Sequence, residues 1–306
     1  MEFEITMVIM LYRTNILALV GSEDNIEDKN NKLIIWDDHQ KKRLSEVKFS
    51  EKIMNVKLRK DIIIVVSRVK IFVFNLNTFK SKDVIETGDN SHGTVGVSYI
   101  DGKTILAYPD KSKGHIRVKN YESNDVFPIQ AHENHIAYIT VSYNGDLLAS
   151  ASEQGTLVRI FSTEKGDLLQ EVRRGKDKAN IKYICFDNNL KFIAASSNKG
   201  TIHIWTLSHI NKNEKKEDGD MIVPENKTSG LKWLPKFLGG DFFNSEWSFA
   251  QVRITNQSSI CCFGPDNTII VVTTEGKYYK AQFDVKNILI QTKLNQDIEL
   301  YPNLIK

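Results

Sequence analysis

Leu147-Leu-Ala-Ser-Ala-Ser-Glu-Gln-Gly-Thr-Leu-Val-Arg-Ile-Phe161 is the stretch that decides the fold of this chain. A second stretch, Phe192-Ile-Ala-Ala-Ser-Ser-Asn-Lys-Gly-Thr-Ile-His-Ile-Trp205, repeats its pattern. In each, an apolar run, a glycine turn and a second apolar run predict two strands joined by a tight hairpin. Gly155 and Gly200 are 45 residues apart, which matches the roughly 40–45-residue period of a four-stranded propeller blade. The repeat therefore predicts a β-propeller of WD-repeat-like blades, with a glycine turn between the second and third strands of a blade.

Short runs of β-branched and aromatic residues recur elsewhere and predict further strands. They are Ile16–Val20, Lys32–Trp36, Ile62–Val66, Val69–Phe74, Thr104–Tyr108 and His115–Val118. No long stretch has the 3.6-residue periodicity of an amphipathic helix, so the expected class is all-β. About six blade-like units are visible, and we expect them to form a single domain over residues 1–306. Their approximate bounds are 5–45, 50–86, 93–128, 134–171, 178–247 and 248–285.

The composition is that of an ordinary globular protein, with 306 residues, 41% of them hydrophobic and 26% charged. The net charge of +3 gives no bulk basic field, so nucleic acid is not an expected partner. No apolar run approaches the roughly 18 residues of a membrane span, and the acidic residues near Met1 do not fit a signal peptide. We therefore expect a cytoplasmic protein whose contact with membranes is peripheral.

Two adjacent arginines, Arg173 and Arg174, precede Gly175 between the two repeated segments. Neighbouring side chains of an extended backbone point in opposite directions, so the two guanidinium groups are expected to diverge into different pockets. Arginine can clamp phosphate oxygens through two parallel hydrogen bonds. The pair is therefore a candidate for serving two phosphate sites, and the alternative is a solvated strand end that carries two positive charges.

A long irregular insert covers residues 208–246 within the fifth unit. Its first half is polar, whereas its second half places four aromatic residues among lysines. These aromatics are Trp233, Phe237, Phe242 and Phe243. Aromatic side chains favour the bilayer interface and lysines favour anionic headgroups, so the insert is a candidate membrane-insertion loop. The alternative is that Trp233 and Phe237 fold back over the edge of the blade as a small additional core.

The Val172-Arg-Arg-Gly175 run between two such blades resembles the Phe/Leu-Arg-Arg-Gly hallmark of the PROPPIN family of phosphoinositide-binding β-propellers. Similar stretches cover nearly the whole chain, and the most similar branch is the one that contains the third and fourth human members. They are Leu11–Gly21, Lys32–Asp38, Ala131–His132, Ser152–Phe161, Gly200–Trp205 and Trp247–Ala250. The family propeller has seven blades, so the units counted here imply that the family's first blade is lacking.

The resemblance implies two headgroup sites that flank the arginine pair. The first would combine His132, Ser152, Thr156, Arg159 and Arg173. The second would combine Arg174, Lys178, Ser197, Thr201 and His203. A phosphorylated inositol ring offers oxygens and hydroxyls that these side chain types can bind, with histidine donating at a slightly acidic membrane surface.

By the same resemblance, the protein would bind phosphatidylinositol 3-phosphate and phosphatidylinositol 3,5-bisphosphate on phagophore, endosomal or vacuolar membranes and recruit autophagy machinery. Its partners would be these membranes and the large lipid-transfer protein of autophagy, and it would act as a monomer. No cofactor and no catalytic residue is expected, because the sequence has no nucleophile elbow and no Walker-type glycine loop. The rival interpretation is a WD-type scaffold that binds proteins and no lipid.

The site residues also have interpretations without a ligand. The serines and threonines could bond their own turns, His132 could serve an internal hydrogen-bond network, and Lys178 could be a solvated charge. His132 and His135 are three residues apart but have no third ligand nearby, so a metal site is not expected. The coincidence of a Ser-x-x-Gly-Thr turn in both repeats, on either side of the arginine pair, favours a ligand.

Overall fold

The computed structural model describes residues 4–22, 30–207, 224–228, 245–254 and 258–283. Within these residues the chain forms 24 β-strands in six sheets and contains no helix, which confirms the predicted all-β class. No helix that could cross a membrane is therefore found in this part of the chain. The chain divides into two compact units, which are Met1–Val95 with Tyr108–Ser112 and Gly96–Ala107 with Lys113–Lys306.

The first unit contains two four-stranded antiparallel sheets, whose strands follow the order of the chain. One sheet consists of β1 (Glu4–Met10), β2 (Ile16–Ser22), β3 (Lys32–Asp37) and β4 (Lys42–Lys48). The other consists of β5 (Asn55–Leu58), β6 (Ile62–Val66), β7 (Lys70–Asn75) and β8 (Ser81–Glu86). Leu33 and Ile35 of one sheet and Ile63 and Val65 of the other share a single apolar core.

The second unit contains the other four sheets, apart from the last two residues of β10. The third sheet consists of β9 (Gly96–Val97), β10 (Ile105–Pro109), β11 (His115–Asn120) and β12 (Val126–Gln130). The fourth sheet consists of β13 (Ile136–Val141), β14 (Leu147–Ser152), β15 (Leu157–Ser162), β16 (Leu168–Arg173) and β20 (Glu246–Trp247). The fifth sheet consists of β17 (Ile181–Phe186), β18 (Phe192–Ser197), β19 (Thr201–Thr206) and β21 (Ala250–Arg253). The described strands of the sixth sheet are β22 (Ser259–Gly264), β23 (Thr268–Thr273) and β24 (Tyr278–Gln282).

Middle strands of the second unit are buried on both faces, which sets the surroundings of the candidate site. Ala149 and Ala151 of β14 share a core with Ile184 of the fifth sheet. On the opposite face of β14, Leu148 shares a core with Ile105 of the third sheet. Because successive side chains of a strand alternate between its faces, β14 packs against both neighbouring sheets at once. Polar residues at its end therefore lie between sheets.

The two glycine turns predicted from the repeat are confirmed. Gly155 joins β14 to β15 with a φ of +60°, and Gly200 joins β18 to β19 with a φ of +70°. Glycine adopts this left-handed region without the steric cost that a Cβ brings. At Gly155 a Cβ would also lie 1.8 Å from the main-chain oxygen of Ala179. The hairpin is thus packed directly against the loop that leads to the fifth sheet.

The predicted boundary between the fifth and sixth units, after Trp247, is wrong. Glu246 and Trp247 pair in parallel with Val172 and Arg173, so β20 extends the fourth sheet. The next strand, β21, pairs antiparallel with β19 and becomes the fourth strand of the fifth sheet. After the insert, β20 pairs with the backbone N–H and C=O groups on the open edge of β16 before the chain continues to β21. A strand pattern does not reveal which edge such a segment joins, and the boundary was therefore misplaced.

Candidate functional site

Arg173 and Arg174 have different partners, as their positions at the end of an extended strand predict. The Nε of Arg173, the last residue of β16, donates a hydrogen bond to the Oγ of Ser245 at 3.0 Å. The Nε of Arg174 donates to the main-chain oxygen of Gly155 at 2.8 Å, and its Nη2 donates to that of Asp177. One guanidinium group is therefore held by the segment that enters β20. The other is held by the glycine hairpin and by the loop towards β17.

The first cluster is the predicted set of residues on the Arg173 side. It consists of His132, Ser152, Thr156, Arg159 and Arg173. Arg159 of β15 pairs with Ser150 of β14 in the sheet register, and the Nε2 of His132 lies 3.0 Å from the Oγ of Ser150. Arg159 also donates from Nη1 to the main-chain oxygen of Ala131 at 2.7 Å. The structure thus brings His132 and Arg159 together through a serine that the sequence analysis did not select.

The other members of the first cluster lie along the same sheet. Arg173 and Glu171 are two residues apart on β16, so they share the face on which Glu171 pairs with Arg159. The Nε of Arg159 donates to the Oε2 of Glu171 at 2.7 Å, which makes Arg159 part of an ion pair. Ser152 is buried at the end of β14, whereas Thr156 is half-buried in the hairpin and its main-chain oxygen accepts the N–H of Arg174 at 2.8 Å.

His132 is neutral at physiological pH in this setting. Burial and, to a smaller extent, the positive charge of Arg159 lower the pKa of His132 to about 4, while the hydrogen bond with Ser150 opposes the shift. A slightly acidic membrane surface would therefore not protonate the ring of the unliganded protein. His132 can donate one N–H as a neutral imidazole, and an anion bound beside it would raise its pKa.

The second cluster is the predicted set on the Arg174 side. It consists of Arg174, Lys178, Ser197, Thr201 and His203. The Nδ1 of His203 lies 3.1 Å from the Oγ of Ser248, and its ring stacks on Trp205 at a centroid distance of 5.6 Å. Ser197 is almost fully buried, and its Oγ accepts the N–H of Lys199 at 3.3 Å. Ser197 therefore makes the turn bond that was its alternative interpretation, whereas Lys178 is exposed.

The positive charge of Arg174 acts on His203. Burial, followed by the positive charges of Arg174 and Arg253, lowers the pKa of His203 to about 4. Arg174 is itself buried, which lowers its pKa, while the nearby carboxylate of Asp177 acts in the opposite direction. The second cluster thus concentrates positive charge around a neutral imidazole.

The two clusters occupy equivalent positions in neighbouring sheets. Ser150 pairs with Arg159 in the fourth sheet, as Ala195 pairs with His203 in the fifth. Arg159 in the first cluster therefore occupies the position that His203 occupies in the second. The threonines are not equivalent, because Thr156 precedes β15 whereas Thr201 is the first residue of β19.

Hydrogen bonds from two amide side chains connect Glu246, at the end of the insert, to β16 and β19. The Oε2 of Glu246 accepts hydrogen bonds from the Nε2 of Gln170 at 2.6 Å and from the Nδ2 of Asn226 at 2.7 Å. Both amides also donate to the main-chain oxygen of Thr206, the last residue of β19. The two described ends of the insert are thus joined to each other and to β16. The four aromatics proposed for membrane insertion lie outside the described residues.

Several residues of the site were missed by sequence reasoning. Ser150 lies two positions before Ser152 and therefore on the same face of β14. Strand alternation could have predicted its place in the site. Ser245, Ser248 and Arg253 carry no such signal, because the long insert separates them from the strands that they contact. Within the part of the chain that the structure describes, no group of three or more histidine, cysteine, aspartate or glutamate side chains is arranged to hold a metal ion.

The fold is that of a β-propeller. A solved structure of Hsv2 from Kluyveromyces lactis superposes with a TM-score of 0.72 at 22% identity, over 94% of this chain and 85% of that one. The sequence then identifies the family more narrowly. The PROPPIN family profile matches residues 4–288, and the chain belongs to the PROPPIN family.

Relatives of known name agree with this assignment. The chain is 36% identical to Autophagy-related protein 18e of Arabidopsis thaliana over 278 residues, which are 90% of this chain and 71% of that protein. It is 31% identical to SVP1-like protein 2 of Pichia angusta over 281 residues, which are 87% of this chain and 75% of that protein. The resemblance drawn from the Arg-Arg-Gly run is therefore confirmed at the level of the family.

Proposed function

We propose that this protein binds phosphatidylinositol 3-phosphate and phosphatidylinositol 3,5-bisphosphate through two sites, one on each side of Arg173 and Arg174. The observation that carries the proposal is the separation of the two guanidinium groups, which have different partners and belong to different clusters. Each cluster combines an arginine with neutral donors that suit a phosphorylated inositol ring. Membership of the PROPPIN family and the similarity to an autophagy-related protein support the same conclusion.

Membrane attachment would combine both headgroup sites with the insert. A second or third contact to one membrane is intramolecular, so it can multiply affinity by about 10²–10⁴. The insert supports this role because its described end, Glu246–Trp247, pairs with β16 at Val172 and Arg173, beside the first cluster. The protein would attach peripherally to phagophore, endosomal or vacuolar membranes as a monomeric single domain and would recruit the autophagy lipid-transfer protein there.

The test is sedimentation with liposomes that contain phosphatidylinositol 3-phosphate. Replacing Arg173 and Arg174 together by Thr should abolish binding, because charge-assisted hydrogen bonds contribute about 1.5–3 kcal/mol each. Arg13→Gln is the matched control, since it removes an exposed arginine outside both clusters. Unchanged sedimentation of the double variant would refute lipid binding at these clusters and would favour the protein-only WD-type scaffold.

A further inference from the structure

Arg253 lies at the second cluster, although neither its sequence position nor the family motif points to it. It is the exposed last residue of β21, and it pairs across the sheet with Thr201. Directly opposed residues of two antiparallel strands present their side chains on the same face. Gln251 pairs with His203 in the same register, so the face that carries Thr201 and His203 continues onto β21. Arg253 therefore stands at the edge of the second cluster.

The charge of Arg253 reaches the centre of this cluster. It opposes protonation of His203, and so does the charge of Arg174. The two arginines come from different elements, since Arg174 follows β16 whereas Arg253 ends β21. The positive charges of two arginines from separate parts of the chain therefore act on one imidazole.

The first cluster has a different charge arrangement. Its second arginine, Arg159, is neutralised by Glu171 at 2.7 Å and has a further N–H bound to Ala131. For Arg253, the described residues provide no carboxylate within ion-pair distance. Lys178 adds an exposed positive charge to the second cluster, and Asp177 is the acid that acts on Arg174. The second cluster thus has more uncompensated positive charge than the first.

We propose that the second cluster selects the bisphosphorylated headgroup, with Arg174 and Arg253 each binding one of its phosphates. This assignment rests on the proposed function and refines it. Two arginines on separate elements can hold two phosphates of one inositol ring, because a guanidinium group offers paired donors to a phosphate. The Nε of Arg174 and one hydrogen of its Nη2 are bound to Gly155 and Asp177, so Arg174 would use Nη1 and the second hydrogen of Nη2. In the first cluster Glu171 neutralises Arg159, and this lower positive charge suits a headgroup with a single ring phosphate besides the one linked to glycerol.

Calorimetry with soluble headgroups tests the assignment without a membrane. The background variant is Arg173→Thr, which leaves the second cluster as the binding site. In this background, the headgroup of phosphatidylinositol 3,5-bisphosphate should bind about tenfold more tightly than that of phosphatidylinositol 3-phosphate. Adding Arg253→Gln should remove the preference by weakening the bisphosphate headgroup about tenfold, as expected for the loss of one charge-assisted contact.

Two further variants keep the result interpretable. Arg253→Lys retains the charge and should keep part of the preference, which distinguishes a binding role from a folding role. Arg13→Gln should leave both affinities unchanged. Equal binding of both headgroups in the Arg173→Thr background, or an equal loss for both on adding Arg253→Gln, would overturn the assignment. Failure of the unmodified protein to bind either headgroup would instead refute the proposed function.

Discussion

Replacing Gly155 by Ala should damage the second cluster through the backbone. The substitution places a methyl group in a hairpin whose φ is +60°, at a point 1.8 Å from the main-chain oxygen of Ala179. Ordinary contact begins near 3.4 Å, so the loop that carries Ala179 must retreat by about 1.6 Å. Two hydrogen bonds depend on this approach. They run from the N–H of Ala179 to Gln154 and from the Nε of Arg174 to Gly155 itself.

The magnitude follows from these contacts. A left-handed φ with a Cβ costs about 1 kcal/mol. Losing a neutral hydrogen bond costs about 1 kcal/mol, and losing one donated by a charged group costs about 2 kcal/mol. We therefore expect Gly155→Ala to lower the free energy of unfolding by about 4 kcal/mol, a large effect for a single substitution.

Gly276 provides the matched control. Its φ is +75°, but a Cβ there would meet no atom within 4 Å. Gly276→Ala should therefore cost about 1 kcal/mol, which is the backbone contribution alone. Urea-induced unfolding measures both values. Equal losses for the two variants would show that the Gly155 hairpin is not packed against Ala179, and the placement of Arg174 by this hairpin would have to be abandoned.

Three other substitutions or conditions test separate parts of the account. Ser245→Ala should weaken headgroup binding at the first cluster about fivefold, because it removes the hydroxyl that accepts a hydrogen bond from the Nε of Arg173. Ser245→Thr should keep most of the affinity. Both are measured by calorimetry in an Arg174→Thr background, which leaves the first cluster as the binding site, and equal affinities for the two variants would refute this orienting role. Because the folded-state pKa of His132 and of His203 is lowered to about 4, stability should be complete above the unfolded pKa of about 6.5 and fall as the pH drops towards 4. The loss between pH 7 and pH 5 should be on the order of 2 kcal/mol per histidine in urea unfolding, and a His→Gln double variant that keeps the same slope would contradict it. Changing the four insert aromatics to Ser should weaken binding to liposomes more than binding to soluble headgroup, and equal losses would indicate a folding defect.

Local patterns were sufficient to predict the all-β class and the glycine turns. Gly155 and Gly200 mark hairpins because a positive φ is a property of the single residue and its turn. The divergence of Arg173 and Arg174 likewise follows from strand alternation. These features depend on only a few residues that are adjacent in the chain, so they can be predicted from the local sequence.

Contacts across the insert could not be predicted in this way. Ser245 and Ser248 reach Arg173 and His203 across 72 and 45 residues of chain, and no spacing rule connects such positions. The ion pair between Arg159 and Glu171 could not be predicted from the sequence either, although it determines the net positive charge of the first cluster. Burial also changed the chemistry expected of the histidines, since it keeps both rings neutral.

The number of headgroups bound per protein molecule tests the central claim most directly. Two adjacent arginines that serve separate sites predict two headgroups per molecule for the unmodified protein, measured by calorimetry or native mass spectrometry with soluble bisphosphate headgroup. Arg173→Thr and Arg174→Thr should each leave one, and the double variant should bind none. A single headgroup on the unmodified protein, or complete loss of binding with either single substitution, would show that the two arginines act on one site.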